Sequence, residues 1–208
     1  MTKPTKTILP LLALGTLTAC VSTSWNATNH YDDFTDIKSC RVEQGTQAGR
    51  DFARGFTGIY FTQQFYAENH NGEIRVGVRT EPPLPIGGDI QIKVGARLYT
   101  LTSQDTPIDV APTGFTNTDA MEKTMGKEYA DSIKAMTKNI QQLSSPYRAY
   151  TGKKAEALLR DITDTSGEIK FRVIGVNSVT SGTGAFTVGE DFKRALQACN
   201  IKLQGLSE

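Results

Sequence analysis

Histidine is nearly missing from this chain: of 208 residues only His30 and His70 carry an imidazole. That scarcity excludes the histidine-based metal motifs, and neither HExxH nor a Cys/His spacing suited to tetrahedral zinc occurs. Cysteine is as sparse, with three residues and no CxxC pair. There is no GxSxG nucleophile elbow. TGKKAE at 151–156 lacks the upstream glycine and the hydroxyl after lysine that a phosphate loop needs, and SGTGAF at 181–186 reads as a hairpin turn. An excess of charge of one sign is also missing. With 23 basic and 22 acidic residues, nothing in the balance favours nucleic acid as a partner. After residue 19 no apolar run approaches eighteen residues, so no transmembrane helix is expected. No catalytic residue, metal or cofactor is therefore assigned.

What the chain does have begins with a three-part leader over residues 1–19. Lys3 and Lys6 make a positive start, and TILPLLALGTLTA at 7–19 is an apolar stretch too short to span a bilayer. LTAC at 17–20 then resembles the lipobox of bacterial lipoproteins. The resemblance implies diacylglyceryl transfer to the Cys20 sulfur, cleavage before it, and acylation of the new amino group. Several acyl chains on one residue give an attachment that one chain cannot, each buried methylene contributing about 0.8 kcal/mol. The expected location is the outer membrane, since Val21 rather than Asp follows Cys20. The expected partner at this end is the lipid bilayer. Cleavage removes Lys3 and Lys6, leaving 21 basic against 22 acidic residues.

With Cys20 acylated, Cys40 and Cys199 remain as an even pair in an exported protein, a compartment that permits disulfides. A Cys40–Cys199 bridge is expected; two free buried thiols, or a redox or metal pair, are the alternatives. Residues 20–34 read as a lipidated tether, with Trp25 a loosely packed member and His30 within it. Residues 35–208 read as one domain.

Within that domain several stretches alternate with period two. EIRVGVRT at 73–80, DIQIKV at 89–94 and EIKFRV at 168–173 are expected to be half-buried antiparallel strands. FTGIYFTQQFYA at 56–67, ARLYTL at 96–101, and residues 38–44 and 184–188 complete the candidates, with Asn71-Gly72 as a hairpin turn. His70 beside that turn reads as solvated. From Asp119 apolar residues at Met121, Met125, Tyr129, Ile133, Met136, Ile140 and Leu143 mark one long amphipathic helix, its stripe expected to pack on the core. A second helix is expected over 153–162. Phe192, Ala195, Leu196 and Cys199 at i, i+3, i+4 and i+7 mark a third, which turns Cys199 inward. Asp161 and Asp164 near helix ends read as caps. The fold class is α+β: mainly an antiparallel β sandwich or open barrel, with an inserted helical segment at about 113–165 and a short C-terminal helix.

Aromatics supply the remaining clue to function. Alternation puts Phe61 and Phe65 on one strand face and Tyr60 and Tyr66 on the other, while Tyr147 and Tyr150 flank the break between two helices. The four tyrosines either cover the core or form an exposed patch that binds protein or glycan. VGARLYTL at 94–101 and GAFTVGEDFKRALQAC at 184–199 are similar to segments of the invasion-associated locus B family. That resemblance implies an exported β sandwich ending in a short helix, and a role in envelope or host-cell contact. The expected function is a non-enzymatic binding or assembly module of the cell envelope with a protein partner. A periplasmic inhibitor or secretion-system accessory lipoprotein is the first alternative and an envelope hydrolase the second.

Overall fold

The computed structural model describes residues 24–44, 53–54, 60–109, 118–165, 167–175, 180 and 183–203. The alternating stretches form two antiparallel sheets. The larger contains β1 (Trp25–Asp32), β2 (Ile37–Gln44), β4 (Tyr60–His70), β5 (Glu73–Glu81) and β8 (Tyr147–Thr151) in that spatial order, with the two-residue β3 (Ala53–Arg54) paired to the start of β4. The smaller runs β10 (Gly184–Thr187), β9 (Glu168–Gly175), β6 (Gly88–Val94) and β7 (Arg97–Leu101). Among the described residues neither sheet closes into a barrel, and the arrangement is sandwich-like. The Asn71-Gly72 turn behaves as expected: both residues take positive φ, 50° and 92°, and pin His70 opposite Glu73.

Four helices complete the fold: α1 (Thr118–Met125), α2 (Lys127–Leu143), α3 (Gly152–Asp164) and α4 (Glu190–Ala198). Phe65, Val76 and Val78 of the larger sheet share one buried cluster with Ile90, Ile92, Ile169 and Phe171 of the smaller. Leu158, Leu159 and Ile162 of α3 and Phe192 and Leu196 of α4 join it. Cys199, at the C-terminal cap of α4, is bonded to Cys40 of β2 with an S–S distance of 2.01 Å, as its inward spacing predicts. Cys20 lies outside the described residues. No helix among them is long and apolar enough to cross a membrane.

Four expectations are corrected. Residues 25–32 are not tether but the edge strand β1, and Trp25 is a core residue, 6% exposed. Its ring meets those of Phe192 and Phe186 at 4.6 and 5.6 Å, and its indole Nε1 donates to the Thr187 carbonyl at 2.9 Å. Between its helices the segment at 113–165 also carries β8, a strand of the larger sheet, and the apolar face of α3 is part of the core. The long helix is two helices, because Gly126 at φ 86° interrupts the backbone. Its apolar stripe faces solvent, with Met125, Tyr129, Met136, Ile140 and Leu143 between 47 and 60% exposed. The core is filled by α3 and α4, and α2 is held instead through buried Ala130 and through Gln142, whose amide donates to the carbonyls of Gln104 and Thr106. Finally, Asp161 caps nothing: it accepts from Arg97 at 2.6 Å and from the Tyr99 hydroxyl.

Candidate ligand-binding face of the larger sheet

The period-two rule that sends Phe65, Ala67, Val76 and Val78 inward sends their neighbours to the other face of the sheet. Antiparallel register lines those neighbours up in rows across the strands. One row reads His30, Ser39, His70, Glu73; the next Thr28, Arg41, Glu68, Arg75; a third Glu43, Tyr66, Gly77; a fourth Gln64, Arg79, Tyr147. Opposite charges therefore stand side by side, the arrangement that favours a sheet pairing.

The rows are knitted by short ion pairs. Arg41 Nη2 donates to Glu68 Oε1 at 2.8 Å, Arg79 donates to Glu43 at 2.8 Å and to Glu81 at 2.9 Å, and Arg75 Nη1 donates to Asp109 Oδ1 at 2.6 Å. The Arg41 guanidinium lies 5.4 Å above the Tyr66 ring, and the Tyr147 ring stands perpendicular to that ring at 6.5 Å. The Tyr147 hydroxyl donates to Asp109 Oδ2 at 2.5 Å. His70 sits between two carboxylates, with Nδ1 4.0 Å from Glu68 and Nε2 3.9 Å from Asp109, too far for hydrogen bonds.

These side chains wall an open cavity of about 310 Å³, with Tyr66 and Glu68 in its buried floor and His30, Ser39, His70 and Asp109 among its lining. Its electrostatics are fixed. Burial raises the Tyr66 phenol far above its ordinary pKa, and the nearby Glu68 charge raises it further. Tyr147 is raised in the same way, by burial and then by its bond to Asp109. Both phenols keep their protons. Burial works against the charge of Asp109, but the bonds from Tyr147 and Arg75 outweigh it and hold the carboxyl below its usual range. Two donors are left over: the Nε–H groups of Arg41 and Arg79 are buried without an acceptor among the described residues. A buried donor in that condition costs about 1–3 kcal/mol until an acceptor reaches it. No group of three or more metal-ligating side chains occurs among the described residues.

The tyrosine patch expected from sequence is broken up. Tyr66 and Tyr147 do share this face, but Tyr66 is 3% exposed and forms floor rather than surface. Tyr150 points to the other face of the sheet, where its hydroxyl donates to the Thr100 carbonyl at 2.7 Å and Lys154 lies over its ring. Tyr60 opens β4, with its side chain outside the described ones. The functional-looking residues missed at the sequence level are His30, Ser39, Arg41, Glu68, His70 and Asp109. Glu68 and His70 follow from the hairpin register at Asn71-Gly72, whereas Ser39 and Arg41 join them through the β2–β4 pairing and His30 through β1–β2. Asp109 comes from a stretch with no periodic signal.

Comparison with protein-family profiles, with curated proteins and with solved structures finds no match to this chain.

Proposed function

We propose that this protein is a lipid-anchored module of the outer membrane that binds an envelope or host protein partner, without catalysis, through the polar face of its larger sheet. The observation that carries the binding role is the cavity over Tyr66 and Glu68, lined by the guanidinium groups of Arg41 and Arg79. Such donors suit an oxygen-rich segment of a ligand, a carboxylate or a cluster of hydroxyls and carbonyls. The ion pairs that fix the walls make the cavity preformed, which lowers the ordering cost of binding. The lipobox-like LTAC and the leader before it support the location, and the segments similar to the invasion-associated locus B family support an envelope or host-contact role.

The two halves of this reading are tested separately. The wild-type chain incorporates radiolabelled palmitate and sediments with envelopes, and the Cys20→Ser chain does neither; a Cys20→Ser protein still processed and membrane-bound contradicts the anchor. Cross-linked envelopes yield a specific partner with the wild type and lose it with the double variant Arg41→Met/Arg79→Met. Equal recovery from both chains contradicts the site.

One observation favours a second reading, an envelope hydrolase: Ser39 lies in register between His30 and His70 on the cavity wall. That reading needs a base bonded to the hydroxyl and a free carboxylate behind it. Asp109 is instead committed to Arg75 and Tyr147. Hydrolysis of p-nitrophenyl acetate or purified peptidoglycan that disappears in a folded Ser39→Ala variant decides for the enzyme.

A further inference from the structure

The exposed face of α2 is patterned more narrowly than an ordinary amphipathic helix. Tyr129, Ile133, Met136, Ile140 and Leu143 are separated by four, three, four and three residues, the a and d positions of a heptad repeat. A core-facing helix spreads its apolar residues over a wider arc; a strict a/d stripe is the seam of a coiled coil. Ile133 is half-buried, and the other four are 47–60% exposed.

The positions flanking the seam say what it pairs with. The open flank is the g side, exposed Ser132 and Asn139, neither charged; the e side, buried Ala130 and half-buried Thr137, is turned to the body of the domain. Every charged residue of α2, Lys127, Glu128, Asp131, Lys134 and Lys138, falls at b, c or f, away from the seam. Charges at e and g are what make one coiled-coil helix select a different chain or reject its own copy. Here that code is blank, so two copies meet along the exposed g side without like-charge repulsion. A bilayer surface is a poorer occupant: interfacial helices carry a broad apolar face and a basic polar face. The polar face of α2 mixes three lysines with two acids.

We infer that α2 is a self-association element, its a/d seam packing against the same seam of a second copy about a two-fold axis. The interface is isologous: the same five side chains serve both copies. Each domain then presents its polar cavity independently, because the cavity walls come from strands of the larger sheet and Asp109, with no residue from α2. Two lipid anchors and two binding faces in one particle raise avidity for a surface-arrayed partner.

Sedimentation equilibrium of the full chain in density-matched detergent tests the inference. At tens of micromolar the wild type gives the mass of two chains. Met136→Ala/Ile140→Ala keeps strong helix formers in α2 yet strips the seam, and its far-UV circular dichroism stays as in the wild type while its dimer dissociation constant rises by more than about tenfold. Lys138→Ala, at an f position, leaves the dimer intact. A wild-type chain that is monomeric, whether or not it then takes up lipid vesicles or a foreign helix, overturns the inference. So does a dimer that the double alanine variant leaves unchanged.

Discussion

Arg148 is only 1% exposed, and among the described residues no carboxylate is hydrogen-bonded to it. Its guanidinium donates instead to backbone carbonyls: Ile86 at 2.5 Å, Gly88 at 3.1 Å, Gln142 at 3.0 Å and Leu143 at 3.3 Å. The last two belong to the final turn of α2, where carbonyls have no partner within the helix and the dipole attracts a cation. One residue thus ties α2, the Pro/Gly connection after β5, and β8 together. Arg148→Met keeps the bulk but leaves those carbonyls buried and unpaired, and urea denaturation is expected to show a loss of about 3–5 kcal/mol. Asp109 makes a different prediction at the same scale. A carboxyl held below its ordinary pKa contributes stability above the unfolded value near 4 and loses it as pH falls through the folded value. Asp109→Asn is therefore expected to cost about 2 kcal/mol at pH 7 and progressively less below pH 4, read from thermal melts across pH. Parallel losses at every pH contradict the assigned role of its charge.

At the scale of elements, the disulfide joins β2 to the end of α4 across a separation of 159 residues. Closing so long a loop in the unfolded chain is worth about 5 kcal/mol in the chain-entropy argument. Reduction, or Cys40→Ala with Cys199→Ala, is expected to lower the denaturation midpoint by a corresponding amount and to leave the strand content intact. Most elements were legible in the sequence because period and turn chemistry agreed: Asn71-Gly72 fixed the β4–β5 register, and i, i+3, i+4, i+7 spacing placed Cys199. What escaped did so for identifiable reasons. As an edge strand, β1 is exposed along nearly its whole length, so NATNHYD shows no alternation and looks like tether. An apolar stripe states that a helix face wants cover but not what covers it; α2 presents its stripe to solvent because α3 and α4 already fill the core. The charged rows were half legible. The hairpin pairs Glu68 with Arg75 and Gln64 with Arg79 directly, whereas their meeting with Arg41, Ser39 and His30 depends on a β2–β4 pairing that no turn signal sets.

The whole molecule divides its labour by face. Each sheet turns one side to a shared core closed by α3 and α4. On the far side of the larger sheet lie the cavity and both histidines of the chain. The far side of the smaller sheet, with Gln91, Lys93, Lys170 and Arg172, carries Gln91–Arg172 hydrogen bonds of 2.9 and 3.0 Å and a cavity of about 270 Å³ over Phe171, whose lining among the described residues holds three cations and no carboxylate. The proposed binding role therefore makes a claim about sidedness, and site-specific photo-cross-linking in intact envelopes tests it most directly. With benzoylphenylalanine in place of Ser39, irradiation is expected to give a discrete adduct with a partner, and in place of Gln91 none. Adducts from Gln91 alone, or from neither position in envelopes that hold the protein at normal levels, contradict the account.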